Sequence, residues 1–305
     1  MTSDVNWALA RKQQTLQSRA RIIQDIRAFF VADDFLEVET PHRIPANAPE
    51  PHIDAEASNG WFLQTSPELA MKRLLAAGHT RLFQICRVWR AAERGSRHLP
   101  EFTLLEWYRA RADYHALMQD CEKLLTRLVP QQHLAWQGQV FDLAPPWERL
   151  PVQDAFRRFA GMTPQQALRT GRFDEILTER VEPQLGRKKP TFLIEYPTEL
   201  AALARTKPDD PTVAERFELY IGGLEVANAF SELNDPVEQR RRFQRDEEQR
   251  RAAGKAPVPL PEPFLKELET LPAAAGIALG IDRLVMLLTD QADIAEVVAL
   301  TPEQL

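Results

Sequence analysis

Two glutamates near residue 220 are the first groups in this sequence with the makings of chemistry. The segment Phe217-Glu-Leu-Tyr-Ile-Gly-Gly-Leu-Glu-Val226 sets Gly222-Gly223 between two strand-like runs, a two-residue hairpin signal. Across such a turn Tyr220 faces Glu225 and Glu218 faces Ala227. Glu218 and Glu225 then become diagonal neighbours on one face, roughly 7–8 Å apart at Cα. Two carboxylates at that spacing, with no basic residue between them, suit a hard cation such as Mg²⁺ together with phosphate oxygens. An exposed acidic face is the alternative. Asn228, Phe230 and Glu232 alternate along the second strand, opposite Glu225 by simple parity unless a bulge near Val226-Ala227 turns the strand over.

Phe102, Glu106 and Tyr108 share one face of another strand. A carboxylate among apolar strand residues is costly to bury unless a cation meets it; a neighbouring arginine and a cationic ligand both answer that need. Arg283 falls in the first turn of a helix opened by Gly280, where the helix dipole disfavours a cation. A phosphate at the same spot resolves the conflict, and so does a salt bridge to Asp or Glu. Arg90, at the end of a strand and before a polar loop, is a second candidate phosphate clamp. No G-x-x-x-x-G-K-[ST] and no strand-borne G-x-G-x-x-G accompanies them.

The elements that must position these groups are readable in outline. Leu16, Ala20, Ile23, Ile26 and Phe30 form a stripe that predicts an amphipathic helix over 16–30. It leads into the strand-like Phe35-Leu-Glu-Val-Glu-Thr-Pro41, which stops at its proline. Trp61-Phe-Leu-Gln-Thr65 predicts a strand, and Ser66-Pro67-Glu68 reads as N-cap, first-turn proline and first-turn acid of a helix closed by Gly78. Residues 82–90 and 101–109 predict a hairpin with a long loop. Strands return at 191–196, 217–233 and 273–279, before a helix over 281–288. Hairpin-paired strands with helices between groups predict an α+β domain around a mainly antiparallel sheet. The stretch 113–189 carries no pattern that assigns it a role. The charge-dense run 237–255 reads as a solvated helix crossing the surface, with a macromolecular docking surface as the sharper alternative. Residues 257–263, rich in proline, read as a stiff connector.

Composition narrows the class. The 305 residues are 44% hydrophobic and 27% charged, enough apolar matter for a substantial core. Lys+Arg 38 against Asp+Glu 44 gives a net charge of -6, without the basic excess of a protein that grips a long polyanion. Broad nucleic-acid binding is disfavoured, though a local basic patch is not. No apolar run approaches a membrane span, and the first residues lack the basic flank and apolar stretch of a signal peptide. That predicts a cytosolic protein. Cys86 and Cys121 have no ligand spacing and read as small buried side chains.

Taken in order, these segments resemble the three motifs of the class II aminoacyl-tRNA synthetase catalytic domain, in its lysine branch. Phe35 to Pro41 looks like motif 1, Arg90 with His98-Leu-Pro-Glu-Phe-Thr-Leu-Leu-Glu-Trp-Tyr108 like motif 2, and Gly280-Ile-Asp-Arg283 like motif 3. The Thr-Ser-Pro-Glu68 turn and Asn228-Ala-Phe-Ser-Glu-Leu-Asn-Asp235 match the lysine enzymes rather than those for aspartate or asparagine. The resemblance implies an arm over 1–15 and a catalytic domain over 16–305. It assigns Arg90 and Arg283 as catalytic residues on the α-phosphate and the γ-phosphate side of ATP, Phe102 to stacking on adenine and His98 to the neighbourhood of pyrophosphate. Glu218 and Glu225 would bind ATP through Mg²⁺. Glu68, Glu106, Tyr108, Asn228, Phe230 and Glu232 would line the amino-acid pocket, several acids around one cavity suiting a substrate with two ammonium groups.

Lysyl-tRNA synthetases carry an N-terminal anticodon-reading OB-fold, whereas about fifteen residues precede the first core helix here. With Glu106-Trp-Tyr-Arg109, and Ala278 where the tRNA enzymes have glycine, the chain looks like the stand-alone family of elongation factor P lysine ligases. That resemblance implies ATP-dependent activation of lysine, preferentially the (R)-β isomer, and transfer to a lysine ε-amine of elongation factor P. The Ala278 methyl would crowd the α-amino position. tRNA would not be a partner, and because motif 1 builds dimer interfaces in this class a homodimer is expected. A truncated lysyl-tRNA synthetase and a catalytically inactive lysine- or ATP-sensing paralogue are the alternatives. The chain departs from the family pattern at Ala92, where motif 2 has glutamate. Glu93 follows one residue later, either reaching in through a shifted loop or leaving nucleotide binding weakened. Ala229 stands for a usual glycine and Trp89 for a phenylalanine.

Overall fold

The structure, a computed structural model, describes residues 7–305. After a short helix Trp7–Arg11, the predicted stripe lies on a longer helix, Gln13–Ala32. Phe30 on that stripe stacks on Phe83 of the sheet, ring centroids 5.0 Å apart, so the helix is set by apolar burial against the strands. Among the described residues the main sheet has nine strands. In spatial order eight are Leu36–Glu37, Arg81–Trp89, Glu101–Ala110, Ala274–Gly280, Leu224–Ser231, Asp210–Ile221, Thr191–Pro197 and Glu148–Pro151. The short Thr206–Lys207 pairs off the side of Asp210–Ile221. All neighbours are antiparallel except the two outermost pairs, which matches the predicted mainly antiparallel α+β arrangement. Of the strand predicted at 35–41, only Leu36–Glu37 joins the ladder. Val38 adds one more bond to Phe83, and the chain then leaves for a three-stranded sheet of Arg43–Ile44, Trp61–Leu63 and Ala57–Ser58.

The long-loop hairpin is present as predicted, registered from Arg81↔Arg109 to Trp89↔Glu101. The Gly222-Gly223 turn is present too, with φ of 62° and 76°, the left-handed pair that a two-residue turn requires. The register beyond the turn differs from simple pairing. Tyr220 opposes Glu225, but Leu219 opposes Ala227, so Val226 is an extra residue and Glu218 faces Asn228 rather than Ala227. This bulge inverts the parity of the strand and brings Glu225 and Asn228 to one cavity.

One face of the sheet packs on the helices Gln13–Ala32, Tyr114–Leu128 and Ile281–Leu288 through Leu105, Trp107, Met118, Leu284 and their neighbours. The other face carries the cavities, flanked by the helix Glu68–Ala76, which packs with Pro236–Ala252 and Glu262–Glu267 around Met71, Phe243 and Phe264. The unassigned stretch 113–189 supplies the Tyr114–Leu128 helix, an edge strand, and a small second core in which Phe156 stacks on Phe173 beside Tyr196 and Tyr220.

The charge-dense helix Pro236–Ala252 is not the solvated rod its composition suggests. Gln239, Arg242, Phe243, Asp246, Glu247 and Arg250 are buried, three or four residues apart along one stripe. Arg242 donates to the carbonyls of Ala202 and Ala204. Arg250 donates to those of Glu50 and Ile53, and to Asp54. The buried guanidinium groups tie two loops to this helix, a role hydrophobic periodicity cannot reveal. Among the described residues no helix is long and apolar enough to cross a membrane.

Candidate functional site

Two rows of side chains cross the cavity face. In one, Glu106, Ala278, Asn228 and Glu218 are consecutive cross-strand partners; in the next, Tyr108, Gly276, Phe230 and Arg216. They floor two adjoining cavities of about 340 and 130 Å³. Arg90, His98, Phe102, Glu218, Glu225 and Arg283 line the larger. Glu68, Glu106, Tyr108 and Phe230 line the smaller. Arg90, Asn228 and Ala278 form part of both walls. Glu232 lies beneath, 1% exposed, and borders neither cavity directly.

In the larger cavity the Arg90 guanidinium sits 5.1 Å from the Phe102 ring centroid, with Nε buried and without a partner. Ala92 adopts a left-handed φ of 63°, and Glu93 beyond it comes within 3.8 Å of Arg90. Glu93 thus stands on the wall of the larger cavity beside Arg90. Arg283 donates at 3.0 Å to the Glu225 carboxylate and at 3.0 Å to its carbonyl, the salt bridge that was the alternative to a phosphate. Its Nη2 lies 2.6 Å from His98 Nε2. Burial, then the Arg283 charge, lowers the His98 pKa, so a neutral imidazole accepts from Arg283.

Glu218 and Glu225 share this cavity but are not free of basic neighbours, as the sequence suggested. Arg216 donates to Glu218 at 2.7 Å, while Tyr196 and Tyr220 donate at 2.5 and 2.6 Å. Burial raises the Glu218 pKa; Arg216 opposes the rise and Glu225 adds to it. Glu182, delivered by the stretch with no assigned role, accepts from Tyr220 at 3.2 Å and is pushed up to about 7 by burial and by the charges of Glu218 and Glu225. Among the described residues no three His, Cys, Asp or Glu side chains gather as a metal site. A crowded pair of carboxylates beside two phosphate-competent arginines does fit a hard divalent cation that completes its shell with phosphate oxygens.

The smaller cavity is acidic. Glu106 accepts from Ser66 Oγ at 2.6 Å and from Tyr108 at 2.8 Å, with no arginine against it. Burial, reinforced by the Glu68 charge, pushes its carboxyl up to about 8, so it rests neutral and is poised to ionise when a cation arrives. Gly276 is obligatory: a Cβ there would fall on the Tyr108 ring and Glu232 Oε1. Glu50, at the junction of both cavities, is pushed up to about 7 by burial, against the pull of Arg90.

Sequence reasoning missed Lys72, Arg216, Glu50 and Glu182. Lys72 lies one helical turn beyond Glu68, and Arg216 two strand positions before Glu218. Those spacings were visible, whereas Glu50 and Glu182 arrive on irregular segments that carry no periodic signal.

Comparison with known proteins gives a family model for tRNA synthetases class II (D, K and N), matched over residues 5–304. Curated relatives include an elongation factor P–(R)-β-lysine ligase of Pseudoalteromonas translucida, 40% identical over 96% of this chain and 97% of its own. Proteins of the same name match from Haemophilus ducreyi, 37% identical over 98% and 97%, and Erwinia tasmaniensis, 37% identical over the whole of both chains.

Proposed function

The chain belongs to the class II tRNA synthetases (D, K and N), and on that footing we propose that it is an ATP-dependent, AMP-forming ligase that activates lysine and passes it to elongation factor P. One observation carries this reading. A cavity furnished for phosphate, with Arg90 and Arg283, opens through Asn228 and Ala278 into one furnished for ammonium groups.

A lysine lying across that junction presents its carboxylate to the α-phosphate. The carboxylate oxygen forms a bond to phosphorus as the bond to the leaving pyrophosphate breaks, and Arg90, on the wall common to both cavities, offsets the developing charge. Arg283, released from Glu225, takes the γ-phosphate side, with His98 beside it, and Phe102 stacks on the adenine. Glu218 and Glu225 would hold Mg²⁺, which neutralises the triphosphate. Glu68, Glu106, Tyr108, Asn228, Phe230 and Glu232 orient the amino acid. The Ala278 methyl, between Glu106 and Asn228 in the cross-strand row, occupies space near the α-amino group and favours the β isomer. In the second step the ε-amine of a protein lysine attacks the acyl carbon, and AMP leaves.

A protein acceptor rather than tRNA agrees with the net charge of -6 and with relatives named for that activity along their full length. Such a substrate places the enzyme in the cytoplasm. The sensor alternative loses its main support because Glu93 stands beside Arg90 despite Ala92. A homodimer is favoured by Val31 and Leu36, 59% and 50% exposed at the end of the helix Gln13–Ala32 and on the edge strand Leu36–Glu37; sedimentation as a monomer at micromolar concentration counts against it. The activation step is tested by ATP–pyrophosphate exchange, expected with lysine isomers and strongest with (R)-β-lysine. Folded protein that exchanges with no isomer refutes the reading.

A further inference from the structure

One turn beyond Glu68 on the helix Glu68–Ala76, Lys72 points inward and is 1% exposed. Its Nζ donates to Glu68 Oε1 at 2.5 Å, pairs with Glu232 Oε2 and lies 5.1 Å from the Phe230 ring centroid. An ammonium group thus already stands among acids that the proposed reading reserves for the substrate. Burying a lysine costs several kcal/mol unless its charge is well matched, and here the matching carboxylates are Glu68, on the wall of the smaller cavity, and Glu232, beneath it. Glu232 Oε1 remains buried without a hydrogen-bond partner, packed where only a glycine at 276 leaves it room.

We propose that Lys72 is a positioning residue that sets the charge of the amino-acid pocket. Glu68, Glu106 and Glu232 supply three negative charges when ionised, and Lys72 supplies one positive. The two left over complement a substrate with two ammonium groups, whereas an amino acid with one leaves a buried carboxylate unmatched. By holding Glu232 Oε2, Lys72 also fixes Oε1 against Gly276, a residue of the smaller cavity's wall. The inference deepens the lysine-activation reading and rests on it.

The groups facing Lys72 are Glu68 on its own helix, Glu232 at the end of the strand Leu224–Ser231, and Glu106 and Tyr108 on the strand Glu101–Ala110. Burial works against the Lys72 charge, but Glu232 and Glu68 outweigh it and keep the ammonium protonated. Burial pushes the Glu232 carboxyl up to about 8, and Lys72 pulls against that rise while the Glu68 and Glu106 charges add to it. Without Lys72, Glu232 would give up its proton less readily, and the substrate would have to displace it.

Calorimetric titration of Lys72→Met and Lys72→Arg with β-lysine and with 6-aminohexanoic acid, across pH, tests this. Binding is read whether or not exchange occurs, so failure of the inference and failure of the activation reading are distinguishable. Lys72→Met should weaken β-lysine binding about tenfold at neutral pH, the equivalent of about one unit of carboxyl pKa. It should also move the pH at which binding reaches its plateau upward, and erode the preference for two ammonium groups over one. Lys72→Arg should keep the wild-type profile. If Lys72→Met does not fold, Lys72→Gln, which keeps a donor of similar reach without charge, is read by the same criteria. Unchanged affinity, pH profile and preference in a folded uncharged variant would overturn the proposal.

Discussion

Gly276→Ala adds one methyl group and should disable the amino-acid pocket while sparing the nucleotide site. Gly276 lies between Tyr108 and Phe230 in its cross-strand row, and the new Cβ would overlap the Tyr108 ring and Glu232 Oε1. Neither can step aside. Tyr108 is 2% exposed, packed with Leu82 and bonded through its hydroxyl to Glu106; Glu232 is held by Lys72. Overpacking of this kind costs about 1–3 kcal/mol of stability, a fall in Tm of about 2–12 °C at 2–4 °C per kcal/mol. Displacing Glu232 and Tyr108 removes the contacts expected for one ammonium group, and losing a buried charged hydrogen bond costs about 2–5 kcal/mol. That corresponds to a rise in the KM for lysine of about 30- to 4,000-fold at 1.4 kcal/mol per tenfold. Arg90, Phe102 and Arg283 are untouched, so the KM for ATP should hold. Pyrophosphate exchange with each substrate varied in turn, beside a thermal scan, measures both. A folded variant with unchanged lysine KM, or one whose ATP KM rises equally, refutes this account of the pocket.

Two further perturbations probe the same architecture. Glu106, raised to about 8 by burial, must lose its proton to receive an ammonium, so the lysine KM should fall as pH rises and level off near 8. In the substrate-free protein that group keeps a proton which the unfolded chain has lost above about 4.5, so its contribution lowers stability as pH climbs between those values; thermal scans with and without lysine should show the slope and its relief by ligand. Arg19→Ala removes the partner of Asp282, 2.5 Å away and 1% exposed, which also accepts from the Thr103 amide. Stranding that buried carboxylate should cost about 3–5 kcal/mol in urea unfolding, and a loss below 1 kcal/mol would show that water reaches it.

The parts of this fold legible in the sequence are those written in local rules. Gly222-Gly223 announces its turn because both positions need positive φ, and strand parity joins Phe102, Glu106 and Tyr108 before any packing is known. The bulge at Val226 was open as an alternative but not decidable, because one extra residue leaves no mark on composition. The partners of buried charges escaped altogether. Lys72 meets Glu232 across 160 positions, by numbering from 72 to 232, and Arg216 reaches Glu218 along a strand that reads as mostly apolar. The helix Pro236–Ala252 shows the same limit: apart from Phe243 its buried stripe is glutamine, arginine and carboxylate, which no hydrophobic pattern distinguishes from a solvated face.

The central claim is that activated lysine goes to a protein amine. Mass spectrometry of elongation factor P after incubation with this protein, ATP and (R)-β-lysine tests it most directly, beside a tRNA charging assay under the same conditions. The account predicts an adduct of one β-lysine residue on a single lysine side chain of elongation factor P, with tRNA uncharged. Charged tRNA beside unmodified elongation factor P, or lysine binding with neither product, would contradict it.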